Sequence, residues 1–270
     1  MVFKEEYFTL YDLFLEVDIL HSLIDGRRRD IILQFQNLFF LMLQQQNKQQ
    51  QNGNRLLACK KKLINMLMSY CDEHEYKVDG FKQNSIGYLC FADKNNIVSQ
   101  SCQHYHDGVK LYVCWRNKLR QANKQKAIYR HNITDRLRYY FEKNQQFLDR
   151  LNFLFKDSKL ITSNATIARQ SLSEFHNAMS HLCRAYKNNN YELNIQRACN
   201  HLQRGALDTY KIIIKDYWVL SKCPKDDELY DDFLELRKQE NKNIGCDNER
   251  LKLLEKYKSL IERAVKMSLC

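Results

Sequence analysis

Glycine and proline are scarce in this chain, and their scarcity constrains the fold more strongly than any motif does. Seven of the 270 residues are glycine and one is proline, both well below the usual share in globular proteins. These two residues supply most tight turns, so a chain that has few of them favours long helices over an all-β or doubly wound fold. The sequence therefore predicts a mainly α protein built from long antiparallel helices.

Apolar residues recur at three- and four-residue steps along most of the chain, which is the spacing of an amphipathic helix. This pattern predicts N-terminal helices in residues 1–75, a long basic helix with its connection in residues 116–164, and an antiparallel helical bundle in residues 165–270. A glutamine-rich stretch at residues 44–54 is interpreted as a low-complexity connection or a solvent-facing helix end.

Residues 76–115 differ in composition from the rest of the chain. Three of the seven glycines fall here, and two short runs, Ile86 to Phe91 and Val109 to Trp115, are apolar and β-prone. We therefore expect a small irregular or β-containing insert between the N-terminal helices and the long basic helix.

Cysteine and histidine residues gather around this insert, and they are the side chains that most often hold zinc. Zinc sites usually draw their ligands from two close pairs. The run from Cys102 to His106 has a candidate ligand at every second position but no second pair at the expected spacing. The sequence therefore predicts no metal and no cofactor, and buried reduced cysteine with exposed loop histidine is the favoured interpretation. The residues concerned are Cys71, His74, Cys90, Cys102, His104, His106 and Cys114.

The ten cysteines form no compact framework, and Met1 to Phe3 lead directly into charged residues rather than into a signal peptide. This pattern predicts a reducing, cytoplasmic location. The most apolar run, Ile31 to Leu43, is too short to span a bilayer and contains glutamine and asparagine. We therefore expect neither a transmembrane helix nor a membrane partner.

A formal net charge of +11 and a pI near 9.1 favour attraction to polyanions such as nucleic acid. Basic residues are densest in the first half of the helix predicted from residue 116, where a single acidic residue, Asp135, accompanies them. This half is the predicted nucleic-acid-binding surface, and a solvated charged face is the alternative. Its candidate contacts are Arg116, Lys118, Arg120, Lys124, Lys126 and Arg130.

The most organised stretch runs from Leu172 to Tyr217 and reads as two antiparallel helices joined by a polar turn at residues 187–190. Each helix carries a histidine with an arginine three residues later: His181 with Arg184, and His201 with Arg204. Residues three apart share a helix face. Antiparallel pairing is therefore expected to bring the polar groups of the first helix near the level of residues 195–201 of the second.

The segment from Glu174 to His181 resembles the signature of the HEPN superfamily, whose members are small α-helical bundles often found in RNA-cleaving toxins and defence proteins. That signature places an arginine, then a polar residue such as asparagine, then three residues and a histidine on one helix. Asn177 and His181 match it, and His176 stands at the position of the arginine. The resemblance implies metal-free cleavage in which two protomers contribute. It assigns His181 as the acid or base and Asn177 as an orienting group, with His176 or Arg184 in place of the missing cation.

Two functions are compatible with these patterns. The first is an accessory or effector protein that binds RNA and cleaves it near His181, although the sequence leaves open whether the protein is an enzyme. The second is a noncatalytic helical scaffold that self-associates through aromatic seams. In the second case the histidines and arginines would hydrogen-bond across the hairpin, or to Glu174 and Asp208, and would fix its register.

Overall fold

The structure is a computed structural model, and it describes the chain in eight stretches. They are residues 2–21, 26–44, 53–73, 97–125, 168–187, 190–220, 228–243 and 247–267. Within these stretches helices account for nearly every residue and no strand occurs. The predicted mainly α fold class is therefore confirmed. The helices are α1 (Val2–His21), α2 (Gly26–Gln44), α3 (Gly53–Glu73), α4 (Ile97–Gln125), α5 (Arg169–Tyr186), α6 (Tyr191–Leu220), α7 (Glu228–Lys242) and α8 (Asp247–Met267).

Helix α4 corrects one expectation. Residues 97–115 were expected to be irregular or β-containing, and they are helical throughout. The reason lies in the spacing of its buried side chains, which recur at three-, four- and seven-residue steps and so form one helical face. The run from Val109 to Trp115 is β-prone only when it is considered without its neighbours. The buried apolar side chains are Val98, Cys102, Tyr105, Tyr112 and Trp115, and Ser101, His104 and Gly108 are buried beside them.

The same helix begins earlier than the sequence suggested. It was expected to start at Arg116, and it starts at Ile97. Residues 76–96 and 126–164 lie outside the described stretches. The division of the chain into four consecutive domains otherwise stays a prediction.

The described residues pack into two compact units, each of which combines segments that are distant in sequence. The first unit comprises Met1–His106 with Gln170–Gly205, and the second comprises Asp107–Arg169 with Ala206–Cys270.

An aromatic core holds the first unit together. Tyr11 and Phe35 contact edge to face with ring centroids 4.6 Å apart, and Phe175 of α5 stacks on Tyr105 of α4 at 5.8 Å. Such pairs contribute about 0.5–1.5 kcal/mol each beyond the area they bury. Helices α1, α2, α4 and α5 are therefore joined through large, fully buried rings.

Two features fix the register of α4, α5 and α6 in this unit. The buried Tyr105 hydroxyl accepts a hydrogen bond from Gln36 Nε2 at 2.6 Å and donates one to the carbonyl of Ser171 at 2.8 Å. Gly205 of α6 faces the same ring so closely that a Cβ atom there would lie 2.6 Å from it and 3.2 Å from the Cβ of Glu174. A larger residue would push α6 away from Tyr105 and Glu174.

The second unit has its own core, formed by α7, α8 and the parts of α4 and α6 that belong to it. Its buried centre includes Trp115, Tyr210, Ile213, Leu254 and Tyr257. At its edge, Glu240 accepts hydrogen bonds from Lys211 at 2.5 Å and from the Tyr257 hydroxyl at 2.7 Å. Burial opposes ionisation of Glu240, but these bonds and the charges of Lys211 and Arg237 lower its pKa.

None of the helices in the described stretches combines the length and the apolar composition that crossing a membrane requires.

Candidate functional site

The hairpin of α5 and α6 carries the candidate site. Its turn ends at Asn190, whose φ of 49° lies in the left-handed region that asparagine tolerates better than most residues. The Asn190 carbonyl accepts the backbone N–H of Asn194 at 3.0 Å and so starts α6. The apolar face of α5 is buried and includes Leu172, Phe175 and Leu182. Its polar side chains therefore lie at the surface or against α6.

Two imidazole rings stack across this hairpin. The rings of His181 in α5 and His201 in α6 have centroids 5.4 Å apart and planes inclined by 15°. His181 Nδ1 lies 2.9 Å from Asn194 Oδ1, and His201 Nδ1 lies 2.6 Å from Glu174 Oε2. Both bonds follow the same antiparallel register of α5 against α6. We refer to His181 and His201 as the histidine pair.

The hydrogen bonds determine which ring nitrogen carries the proton. Asn194 Nδ2 donates to the carbonyl of Asn190 at 3.3 Å, which turns Oδ1 toward His181. His181 Nδ1 therefore donates. A carboxylate only accepts, so His201 Nδ1 donates to Glu174 as well. In the neutral form, each ring thus has Nε2 as its basic atom, and within the described residues the hydrogen bonds of both rings are made through Nδ1.

The electrostatics favour a neutral His181. Burial lowers its pKa below the ordinary value of 6.5, and the neighbouring His201 and the positive charges of Arg197 and Arg184 lower it further, against the opposing effect of the Asn194 bond. At pH 7, His181 is therefore a neutral ring that can accept a proton. Both arginines are exposed beside it.

His176 lies in a different environment, although it is only five residues from His181. Its ring packs against Tyr11 and Phe14, each at a centroid distance of 6.0 Å. The Tyr11 hydroxyl lies 2.8 Å from Nδ1, Arg28 Nη2 lies 3.5 Å from Nε2, and the buried Asp18 carboxylate lies 3.9 Å from Nε2. A guanidinium only donates, so Nε2 is the acceptor in the neutral ring.

Burial lowers the pKa of His176 to about 4. The carboxylate of Asp18 acts to raise this pKa, and the positive charge of Arg28 opposes that effect. Arg28 also pairs with Asp18 at 2.6 Å. At pH 7, His176 is uncharged and cannot supply the cation that the HEPN arginine would bring.

The remaining candidates of the hairpin lie near the histidine pair along the helices. Asn177 is exposed one turn before His181, and Arg184 is exposed one turn after it. Arg204 is exposed on α6, three residues after His201.

Asn194 is the partner that the sequence interpretation missed. Glu174 was named there, with Asp208, as a hydrogen-bond partner of the histidines and arginines, but without a specific histidine. The antiparallel register could have identified both, because it sets Glu174 opposite His201 and Asn194 opposite His181.

Of the predicted nucleic-acid-binding residues, Arg116, Lys118, Arg120 and Lys124 belong to the second unit. Arg116 is half-buried, with its guanidinium carbon 6.0 Å from the centre of the Tyr112 ring. Lys118, Arg120 and Lys124 fall within α4, but their side chains are outside what the structure describes. Lys126 and Arg130 lie outside the described residues. The predicted binding surface stays a prediction.

Within the described stretches, no three histidine, cysteine, aspartate or glutamate side chains gather closely enough to hold a metal ion. Cys102 is buried, and burial raises the pKa of its thiol. Cys114 is exposed and His104 is buried within α4, so the expected pattern of buried cysteine with exposed loop histidine is wrong at these two positions. His74 and Cys90 are outside the described residues.

The HEPN resemblance stays a prediction, carried by Asn177 and His181 on one face of α5 and by the position of His176. No family model, curated protein or solved structure matches this chain.

Proposed function

We propose that this protein binds RNA and cleaves it without a metal ion, using the histidine pair. The observation that carries the proposal is the stacking of two imidazoles, each hydrogen-bonded through Nδ1 and each left with Nε2 as its proton-transferring atom. Two histidines at one site can serve as the base and the acid of a phosphoryl transfer.

The reaction begins at the ribose 2′-hydroxyl. Nε2 of neutral His181 takes the hydroxyl proton while the 2′-oxygen bonds to the adjacent phosphorus. The bond between phosphorus and the 5′-oxygen then breaks, and the leaving 5′-oxygen takes a proton from Nε2 of protonated His201. The products are a 2′,3′-cyclic phosphate and a 5′-hydroxyl. Glu174 orients His201 and faces the ring when that ring carries a positive charge.

Two arginines supply the positive charge that the transition state requires. Arg184 and Arg197 are exposed and act electrostatically on His181. A guanidinium stays charged at all working pH values and binds phosphate oxygens in a fixed fork. These arginines therefore replace the cation that His176, being neutral, does not provide.

The test is cleavage of an end-labelled RNA pool in EDTA by wild type and by His181→Gln and His201→Gln. Wild type is expected to cut, and each substitution to reduce the rate by about 10²–10⁴-fold, as is typical for loss of a general acid or base. Gln196→Ala, an exposed change elsewhere on α6, is the matched control and should cut like wild type. New ends should resist phosphatase until the cyclic phosphate is opened, and all-deoxy strands should stay intact. An RNA pool that wild type leaves whole contradicts the proposal.

The second candidate is a noncatalytic scaffold, and one observation favours it. The bonds from His181 to Asn194 and from His201 to Glu174 cross the hairpin and fix its register whether or not chemistry occurs. In that case the two histidine substitutions would lower stability and self-association while RNA remained uncut. Cytoplasmic location suits both candidates, because the cysteines in the described stretches are unbridged thiols.

A further inference from the structure

An exposed aromatic ring lies one helical turn from Asn194, the residue that bonds to His181. Tyr191, the first residue of α6, is 46% exposed. It precedes Asn194 by three residues, which is a rise of about 4.5 Å along the helix. Among the described residues, no ring contact of Tyr191 is found.

The register of the hairpin places Tyr191 at the level of a cation. His181 bonds to Asn194 and Glu174 bonds to His201. The same antiparallel register, continued one turn toward the loop, sets Arg184 opposite Tyr191. Arg184 is exposed and close enough to His181 to act on it electrostatically. By this register, a ring and a guanidinium lie at one level of the hairpin, one turn beyond His181 toward the loop.

We infer that Tyr191 stacks an unpaired nucleotide base next to the cleaved bond, with Arg184 on the phosphate that is cleaved. The inference rests on the proposed function and assigns its substrate class, which is single-stranded RNA. Every base has a π-face, so stacking tolerates any sequence but requires an unpaired base. Bases within an intact duplex are already stacked on both faces and cannot lie on Tyr191.

The first measurement is binding, which needs no cleavage. A single-stranded oligonucleotide with 2′-O-methyl groups throughout cannot be cut, and a 2-aminopurine base within it loses fluorescence when it stacks. We expect quenching by wild type and by Tyr191→Phe. Tyr191→Ala should abolish the quenching and weaken binding about tenfold, the scale on which one stacked base contributes.

Leu193→Ala is the matched control. Leu193 is also on the first turn of α6 and is 44% exposed, but it lies two residues from Tyr191 and so on another face of the helix. Its loss should change neither quenching nor affinity. Equal quenching by Tyr191→Ala and wild type overturns the inference.

The second measurement is cleavage of the same RNA sequence as a single strand and as a duplex. Wild type should cut the single strand at least tenfold faster, and Tyr191→Ala should cut it more slowly. If wild type cuts both forms equally, the inference fails while the proposed function stands. If wild type cuts neither form but quenches 2-aminopurine through Tyr191, the proposed cleavage fails and the binding site stands.

Discussion

His176 and His181 lie five residues apart on α5, and their environments are opposite. His176 is packed between aromatic rings and beside the ion pair of Asp18 with Arg28. His181 is partly exposed, stacks on a second histidine and has Nε2 as its basic atom. Five residues correspond to a rotation of about 140° around a helix, so the two rings leave α5 on different faces.

The difference shows that the spacing of a motif does not determine the role of a residue in it. His176 occupies the position of the HEPN arginine, yet burial and Arg28 hold its pKa near 4 and keep it neutral. His181 gains its chemical capacity from residues of α6 rather than from its own helix. We therefore expect substitutions in the histidine pair to lower the cleavage rate, and substitutions of His176 to lower the stability of the fold.

The largest expected effect separates these two roles directly. His181→Gln should reduce RNA cleavage in EDTA by about 10²–10⁴-fold while leaving the free energy of unfolding within about 1 kcal/mol of wild type, since the ring is partly exposed. His176→Gln should do the reverse, with a lower stability at pH 7 and a cleavage rate within a few fold of wild type. The comparison breaks if His176→Gln abolishes cleavage in protein that circular dichroism shows to be folded.

The pH dependence of stability is the next largest effect. The pKa of His176 falls from 6.5 in the unfolded chain to about 4 in the folded protein, so below pH 6.5 the unfolded state binds more protons. His176 therefore contributes stability above pH 6.5 that is lost as the pH falls toward 4, about 3 kcal/mol in all at 1.36 kcal/mol for each pKa unit.

Urea unfolding at pH 7, 5.5 and 4 measures this loss. Wild type should lose about 3 kcal/mol more than His176→Gln over that range. His181→Gln is the matched comparison. Because His181 is more exposed than His176, the free energy of unfolding of His181→Gln should change with pH much as that of wild type does. Parallel curves for wild type and His176→Gln would show that His176 is not the titrating group.

A smaller effect is expected at Gly205, which adjoins Glu174, the partner of His201. A Cβ atom there would lie 2.6 Å from the Tyr105 ring, and that ring is held by Gln36, Ser171 and Phe175. Gly205→Ala should cost about 1–2 kcal/mol, since overpacking outweighs the gain in helix propensity. Cleavage should also slow, because Glu174 contacts the same position and would shift relative to His201.

Gly53→Ala is the control for this change. Gly53 begins α3, and a Cβ atom there would meet nothing within 4 Å. Its thermal midpoint should equal that of wild type or exceed it slightly. Equal midpoints for Gly205→Ala and Gly53→Ala would mean that a Cβ atom at position 205 is accommodated without overpacking against Tyr105.

Much of the fold was predictable from local pattern. Scarce glycine and proline indicated long helices, and the repeated histidine and arginine spacing around the polar turn indicated the hairpin of α5 and α6. The start of α4 was missed because Val109 to Trp115 is β-prone in isolation. This run is helical because its buried residues continue a helical spacing of buried side chains that begins at Val98.

The site was less predictable than the fold, for a physical reason. Which polar group meets His181 depends on the register of α6, and a shift of one turn would replace Asn194 with Arg197 or Tyr191. The burial of His176 depends on Tyr11 and Arg28, which belong to helices about 150 residues earlier in the chain. Spacing along α5 alone carries no information on either contact.

The smallest effect on the chemical step is expected from the basic residues of α4. If they bind the RNA backbone, the triple change Lys118→Gln, Arg120→Gln, Lys124→Gln should lower the slope of log affinity against log salt by about 2, at roughly 0.7 for each lost phosphate contact with a single strand. Cleavage at saturating RNA should stay near the wild-type rate, because the histidine pair is unchanged. His181→Gln should show the converse, with the salt dependence of wild type and little cleavage. A triple variant that keeps the wild-type salt slope would assign RNA binding to the arginines of the hairpin, and the histidine pair would then bind and cut at one surface.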